Sequence, residues 1–109
     1  MFQMEHLPWC VVVRVNGEVD LANCAELEAS VREAEASNAS FIVISFDECL
    51  YLDSTALAVL YRARKRIGSR LRILASAGSR AMKLFDIVGI RSHFDIVESL
   101  ADIRTTEVA

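Results

Sequence analysis

Short apolar runs rich in β-branched residues alternate with amphipathic segments along this chain, and this alternation constrains its fold more than any other feature. Three runs are typical of strands, at residues 9–15, 41–46 and 71–75, and Asn16-Gly17 closes the first of them. The run at 41–46 is apolar nearly throughout, which is typical of a parallel strand buried on both faces. Strands that alternate with helices form right-handed crossovers onto one sheet, so the pattern predicts an α/β fold.

Helical periodicity accounts for the segments between these runs. Apolar side chains recur at helical spacing in two places, first at Cys24, Leu27, Val31 and Ala34, and then at Ala81, Leu84, Phe85 and Val88. A further helix is predicted over residues 53–67. Asp20 or Asn23 is suited to cap the first helix, and Gly89 is suited to end the last one.

The predicted architecture is one α/β domain over residues 1–109, because this length is typical of a single domain. We expect a mostly parallel sheet of four or five strands. Residues 2–5 are expected to form an antiparallel edge pair with the next strand, and residues 94–97 the last short strand. About four helices are expected to cover the sheet, the fourth a brief one through Leu100 and Ile103.

Composition and charge argue against disorder and lower the expectation of a nucleic-acid partner. Hydrophobic residues make up 53% of the chain and charged residues 25%, which suits a packed core. The net charge is −3, whereas binding to phosphates needs many Lys and Arg. The basic residues that cluster are Arg62, Arg64, Lys65, Arg66, Arg70 and Arg72. Because no aromatic side chain follows Tyr61 within this cluster, we interpret it as the solvated face of a helix.

No segment has the features of a signal peptide or of a membrane span. Residues 1–6 do not combine a basic stretch with an apolar run. The longest apolar runs, such as residues 9–13 and 56–61, are far too short to cross a bilayer. We therefore expect a cytoplasmic protein with no membrane partner.

The cysteines and histidines do not show the spacing of a metal site. Cys10, Cys24 and Cys49 are odd in number and widely spaced, which fits neither a disulfide framework nor a zinc site. We expect them to be small buried hydrophobic residues. His6 and His93 are far apart in the sequence. No metal or cofactor is predicted for this chain.

Catalytic motifs are absent from the sequence, so an enzyme is not expected. No nucleophile–base pair, nucleophile elbow, phosphate-binding loop or dinucleotide fingerprint is evident. One alternative is a receiver-like domain in which Asp20, Asp47 and Asp53 cluster around Mg²⁺ and an aspartate accepts a phosphoryl group. That chemistry also needs a basic residue from another strand end, and no Lys stands at the end of the last predicted strand.

The most unusual motif is Asp53-Ser54-Thr55, which follows a buried strand and a short connector, residues 49–52, and opens a helix. One interpretation is purely structural, because all three residue types cap helix N-termini. The other interpretation is functional. A hydroxyl at a helix N-terminus is exposed and lies in the positive end of the helix dipole, where an attached phosphate is tolerated. Spacing alone leaves both interpretations open.

Residues 17–20, 51–60 and 83–90 form three blocks that resemble segments of the STAS domains of anti-sigma factor antagonists. Residues 17–20, Gly-Glu-Val-Asp, are similar to a Gly-Glu-Leu-Asp turn of that family. Residues 51–60 are similar to its signature, an aromatic and a hydrophobic residue followed by Asp-Ser-Ser/Thr-Gly-Leu-Gly-Val-Leu. Residues 83–90 are similar to the segment that leads into its last strand. The resemblance covers nearly the whole chain and implies a STAS-type fold.

The resemblance also implies a switch that is controlled by phosphorylation. In that family the first hydroxyl after the signature aspartate, Ser54 here, is phosphorylated by a partner serine kinase that is also the anti-sigma factor. The kinase carries ATP and Mg²⁺. The unphosphorylated form binds this kinase, which releases the sigma factor. The residues implied in partner binding are Asp20, Asp53, Ser54, Thr55 and Ala56.

The sequence departs from the family pattern at a few positions. Ala56 and Ala58 stand where the family usually has glycine, and Ser45 stands where a strand-end aspartate is common. Because alanine favours a helix more than glycine does, we expect the helix to be intact. The added methyl group of Ala56 is expected to lie close to an approaching kinase. An alternative function is a STAS module that is never phosphorylated and that scaffolds a complex or binds a small apolar ligand.

Overall fold

The computed structural model describes residues 2–103, in which strands and helices alternate. The strands are β1 (Phe2–His6), β2 (Cys10–Val15), β3 (Gly17–Val19), β4 (Phe41–Ser45), β5 (Cys49–Leu52), β6 (Leu71–Leu74) and β7 (Ile96–Val97). The helices are α1 (Cys24–Glu35), α2 (Ser54–Ile67) and α3 (Arg80–Val88). Single 3₁₀ turns cover Gly68–Arg70 and Arg91–His93, and residues 100–103 are helical. Within this range no helix is both long enough and apolar enough to cross a membrane.

A five-stranded sheet with the order β1-β2-β4-β6-β7 forms the centre of the fold. β1 runs antiparallel to β2, and every other neighbouring pair is parallel. The predicted mostly parallel sheet with an antiparallel edge pair and flanking helices is therefore confirmed. The last strand is shorter than the sequence indicated, since only Ile96 and Val97 pair with β6.

Successive residues of the central strands face opposite sides of this sheet, and each side has its own apolar core. On β2, Val11 and Val13 face the core that the three helices cover, whereas Cys10 and Val12 face a smaller core. Ile103, the last described residue, is fully buried in the smaller core. The central strands are thus buried on both faces, which is why their sequences are continuously apolar.

Helix α3 buries most of the face that its sequence pattern indicated, but not the last residue of that pattern. Ala81, Met82 and Phe85 are buried, and the Phe85 ring meets the Phe46 ring edge-to-face with centroids 5.7 Å apart. Val88 is 45% exposed because it ends a helix of only nine residues, whose first two turns make the core contacts. The expectation that Val88 is a core residue is therefore wrong, and Met82 supplies the side chain that completes this face.

A second, two-stranded sheet pairs β3 with β5 in parallel. The sequence had indicated a strand end at Asn16-Gly17 and a connector at residues 49–52. Instead Gly17 begins β3 with a φ of 81°, and its N–H donates to the Glu48 carbonyl at 3.0 Å. Strands of three and four residues are too short to show an alternating pattern, so the sequence does not distinguish them from loops.

The basic cluster is largely paired with acidic groups of the same domain. Arg66 donates to Glu35 at 2.5 Å and to Glu28 at 3.2 Å, and these bonds join α2 to α1. Burial acts to raise the pKa of Glu28, but Arg62 and Arg66 outweigh it and lower that pKa below its ordinary value. Arg72 is buried. The cluster is therefore only in part the solvated helix face that the sequence indicated.

The cysteines follow the prediction in two of three cases. Cys10 and Cys49 are buried, whereas Cys24, the first residue of α1, is half-buried. No disulfide joins the three within residues 2–103. Burial raises the pKa of Cys49, which keeps this thiol protonated and unreactive at neutral pH.

Candidate functional site

Asp20 and Asp53 lie at the same sheet edge because each follows a strand of the two-stranded sheet. β3 ends at Val19 and β5 ends at Leu52, and these two residues are register partners. The Asp53 N–H continues the ladder by donating to the Val19 carbonyl at 3.2 Å. The pairing of β3 with β5 therefore brings together two of the residues that the sequence selected, although they are far apart along the chain.

Asp53 caps helix α2 and holds its first turn in place. One oxygen of its carboxylate accepts the N–H groups of Thr55 at 2.9 Å and Ala56 at 3.3 Å, and it also accepts the Thr55 hydroxyl. These bonds satisfy N–H groups that have no partner inside the helix. The Thr55 hydroxyl is the main cause that lowers the pKa of Asp53; burial opposes it, and N–H groups of Ala56, Thr55 and Leu21 reinforce it. The carboxylate is therefore charged at neutral pH.

The neighbouring hydroxyls of Ser54 and Thr55 differ in what they contact. Thr55 is half-buried, and its hydroxyl is bound to Asp53. Ser54 is the first residue of α2 and is exposed, and its hydroxyl forms no hydrogen bond with any residue of the described range. Ser54 therefore carries the hydroxyl that an incoming partner can reach, whereas Thr55 serves the helix cap.

Ala56 faces the core and not the solvent. It is fully buried, and it shares the core-facing stripe of α2 with Val59, Leu60 and Ala63. The expectation that its methyl group meets an approaching kinase is therefore wrong, because the Ala56 side chain is not accessible to a partner. Helix α2 is continuous over Ser54–Ile67, as expected where alanine replaces glycine.

The loop after β3 is fixed by its own polar side chains and presents an apolar one to solvent. The Asp20 carboxylate accepts the Ala22 N–H at 2.9 Å, and the Asn23 side chain accepts the Asp20 N–H at 2.9 Å. Asn23 occupies the cap position of α1, but its side chain binds back to Asp20 and to the Glu18 carbonyl. Leu21 is 76% exposed. Leu21 was not among the site residues predicted from the sequence, although an exposed position is indicated by an apolar residue that directly follows the turn and lies outside the helical pattern.

The third aspartate of the receiver-like alternative is committed to another contact. Asp47 accepts both the N–H and the hydroxyl of Ser76 at 2.8 Å, in the loops after β4 and β6. In the described part of the chain, no group of three or more His, Cys, Asp or Glu side chains is arranged to hold a metal ion. Asp20 and Asp53 therefore offer a partner two carboxylates and a neighbouring hydroxyl, and this arrangement gives no support to a receiver-like Mg²⁺ site.

Comparison with known proteins supports the interpretation of these features. The family model of the STAS domain matches residues 1–103. The chain belongs to the STAS domain family, which confirms the resemblance carried by the three sequence blocks. The observed mixed sheet with its flanking helices is also the fold of solved anti-sigma factor antagonists.

Three similar proteins illustrate the relationship. The anti-sigma-F factor antagonist RsfB of Mycobacterium tuberculosis is 27% identical over 95 residues, which cover 86% of this chain and 78% of RsfB. The crystal structure of an anti-sigma factor antagonist from Mycobacterium paratuberculosis has a TM-score of 0.83 at 21% identity, covering 97% of this chain and 92% of that one. The Bacillus cell fate determinant SpoIIAA, in its phosphorylated form, has a TM-score of 0.64 at 21% identity, covering 97% and 99%.

Proposed function

We propose that this chain is an anti-sigma factor antagonist, which binds an anti-sigma factor through the surface around Ser54. This surface, called the Ser54 surface below, comprises Asp20, Leu21, Asp53, Ser54 and Thr55. The name of the relative RsfB supports the role. The observation that carries the proposal is the exposed Ser54 hydroxyl, which stands at the start of a helix whose first turn is held by Asp53.

The proposed partner is an anti-sigma factor that is also a serine kinase and that brings ATP and Mg²⁺. Within the described residues, the Ser54 hydroxyl is hydrogen-bonded to no histidine or lysine that could activate it, so this chain does not make its own nucleophile. A kinase supplies the base for its substrate hydroxyl and needs that hydroxyl exposed, as Ser54 is. SpoIIAA, which shares the fold, has been solved in a phosphorylated form, and this supports a phosphorylated state here.

Phosphorylation of Ser54 is expected to leave the fold intact. A phosphoserine adds roughly −1.5 to −2 charges. The dipole of α2 favours an anion at this position by about 0.3–1 kcal/mol. Asp20 and Asp53 repel the phosphate, but water and salt screen exposed charges strongly. Because the attractive and repulsive effects nearly cancel and Ser54 is exposed, the core has no reason to change.

The same charge is expected to weaken a docked complex strongly. A partner that covers Ser54 removes the water around the phosphate, and the Ser54 surface contains no Lys or Arg to pair with it. A buried and poorly paired charge costs several kcal/mol. Since each 1.4 kcal/mol is about a tenfold change in affinity, we expect phosphorylation to weaken binding by roughly a hundredfold or more.

The test uses the anti-sigma factor kinase of the same organism as its probe. Wild-type, Ser54→Ala and Thr55→Ser chains are incubated with kinase and ATP, and the phosphate is located by peptide mass. We expect phosphate on Ser54 alone and none in Ser54→Ala. Thr55→Ser is the matched control and is expected to be labelled normally, because serine keeps the hydroxyl that binds Asp53. The affinity and melting temperature of both forms are then compared, and only the affinity is expected to change greatly.

Several results would contradict parts of this proposal. Phosphate on Thr55, or undiminished labelling of Ser54→Ala, places the control point elsewhere. If phosphorylation leaves the affinity for the anti-sigma factor unchanged, phosphorylation does not control binding. That result favours the alternative of a STAS scaffold or small-ligand module. A catalytic turnover by the purified chain that is lost in a Ser54 or Asp53 variant contradicts the proposal that it is a binding protein and not an enzyme.

A further inference from the structure

An apolar groove of about 400 Å³ lies between β5 and α3, next to the Ser54 surface. We call it the β5–α3 groove. Its main lining residues are Leu50, Tyr51, Leu84 and Ile87, together with the cations Arg80 and Lys83. Leu50 is 57% exposed, Tyr51 52% and Ile87 80%, so these large apolar side chains remain in water in the free domain.

The groove exists because the two-stranded sheet is small and α3 is short. β5 buries Cys49 and Leu52 and leaves Leu50 and Tyr51 exposed. On α3 the core-facing positions are near the start of the helix, and Ile87 in the last turn faces solvent. Neighbouring exposed apolar side chains from two elements form the kind of patch that marks an interaction site.

The charge of the groove differs from that of the Ser54 surface. The chain carries a net charge of −3, and the Ser54 surface carries two carboxylates. Among residues 2–103, the charged residues that line the groove are Arg80 and Lys83. Neither forms an ion pair with another residue of the range 2–103, whereas Arg66 and Arg72 are paired. Uncompensated cations beside apolar side chains complement an occupant that is both apolar and acidic.

The groove and the Ser54 surface lie close together, because both involve the C-terminal end of β5. Leu52 lines the groove and Ser54 is two residues further along the chain. At about 3.3 Å per residue, this separation is within roughly 10 Å. A stable protein interface covers about 800 Å² and some 20–30 residues on each partner. The five residues of the Ser54 surface are too few for such an interface, so a partner centred on Ser54 extends over its surroundings.

We propose that the β5–α3 groove binds an amphipathic, acidic segment of the same anti-sigma factor that meets Ser54. Apolar side chains of that segment contact Leu50 and Ile87, and its carboxylates pair with Arg80 and Lys83. The inference rests on the proposed function, because it assigns a second contact to the same partner. The groove contributes affinity for the anti-sigma factor, and phosphorylation of Ser54 controls that affinity.

The test compares groove variants with a matched charge control, using the unphosphorylated chain and the anti-sigma factor of the same organism. The double variant Leu50→Ser/Ile87→Ser is expected to bind at least about tenfold more weakly, since buried apolar contacts dominate interface energies. Lys83→Glu is expected to bind severalfold more weakly and to lose part of the salt dependence. Lys65→Glu reverses the same charge on the exposed side of α2 and is expected to bind normally. Melting temperatures confirm that each variant is folded.

The outcomes separate this proposal from the proposed function. If the wild-type chain binds no anti-sigma factor, both are wrong. If it binds and Ser54 is phosphorylated, but Leu50→Ser/Ile87→Ser binds equally well, only the groove proposal is wrong. Self-association of the free chain that the double variant abolishes would assign the groove to a second copy instead. Groove-dependent binding of a small apolar dye, with anti-sigma affinity unchanged, would assign it to a small ligand.

Discussion

The two sheets of this domain differ in what surrounds them. In the five-stranded sheet, β2 and β4 are buried on both faces and have a paired strand on each side. In the two-stranded sheet, β5 buries its first and last residues and leaves Leu50 and Tyr51 in solvent. The large sheet therefore contributes far more side chains to the buried core than the small sheet does, while the small sheet exposes apolar side chains on β5.

The positions of the functional side chains follow from this division. Asp20 and Asp53 both follow strands of the small sheet, and exposed residues of β5 line the β5–α3 groove. A strand that is buried on both faces cannot present side chains to a partner, whereas a short strand at the edge of the domain can. The core and the proposed binding surface thus lie on different strands, and matched substitutions can test whether stability and binding are independent.

The largest expected effect compares one valine in each sheet. Val13 of β2 and Val19 of β3 are both fully buried in the main core. We expect Val13→Ala to lower the free energy of unfolding by about 2–3 kcal/mol, because a strand held on both sides cannot close the cavity. Val19→Ala is expected to cost about 1–2 kcal/mol, because a three-residue strand relaxes more readily. Urea unfolding measures both, and a loss in Val19→Ala that equals or exceeds that in Val13→Ala contradicts the division.

A smaller effect is expected from two glycines with positive φ. Gly17 begins β3 with a φ of 81°, and Gly68 follows α2 with a φ of 57°. An added Cβ meets no atom within 4 Å at either position, so the cost of alanine is backbone strain, about 1–2 kcal/mol. Only Gly17→Ala is expected also to weaken anti-sigma factor binding, severalfold, because β3 positions Asp20. The affinities of both variants for the anti-sigma factor are measured at a temperature at which both are folded. Equal affinities would show that β3 does not position the site.

The five-stranded sheet was predictable because its strands are buried on both faces. Residues 41–46 and 71–75 show this burial as continuous apolar runs, and the helices between them show a 3.6-residue period. The small sheet was not predictable, because Gly17–Val19 and Cys49–Leu52 are short and owe their structure to pairing between distant parts of the chain. The exposed end of α3 was misjudged for a related reason, since periodicity does not reveal where a helix extends beyond its neighbours.

The candidate site was predictable in its residues but not in their roles. The motif Asp53-Ser54-Thr55 was selected because it opens a helix and resembles a family signature. That Thr55 serves the cap while Ser54 remains exposed depends on which way each side chain points at the first turn. The burial of Ala56 and the exposure of Leu21 likewise depend on the tertiary contacts of α2 and β3. The structural interpretation of the motif therefore applies to Asp53 and Thr55, whereas the functional interpretation stays a proposal for Ser54.

The smallest expected effect concerns the charge of Asp53. Asp53→Asn keeps the shape and the capping ability of the side chain but removes its charge. The Thr55 hydroxyl, together with nearby N–H groups and against the effect of burial, lowers the pKa of Asp53 below its ordinary value of 3.8. The folded state therefore favours the ionised carboxylate. Such a group contributes stability above its unfolded pKa and loses that contribution as pH falls through its folded pKa.

Wild type is accordingly expected to melt a few degrees above Asp53→Asn at neutral pH, and this gap is expected to close as pH falls below 3.8. Glu28, whose pKa is lowered by Arg62 and Arg66 despite burial, also loses its contribution in acid, but it is present in both chains and cancels in the difference. Thermal melts of both chains at equal ionic strength, from about pH 7 to about pH 2.5, measure the gap. A constant gap would mean that Asp53 acts only through its shape. A gap that widens in acid would contradict the lowered pKa of Asp53. It would also contradict the premise that Asp53 places a permanent negative charge beside Ser54.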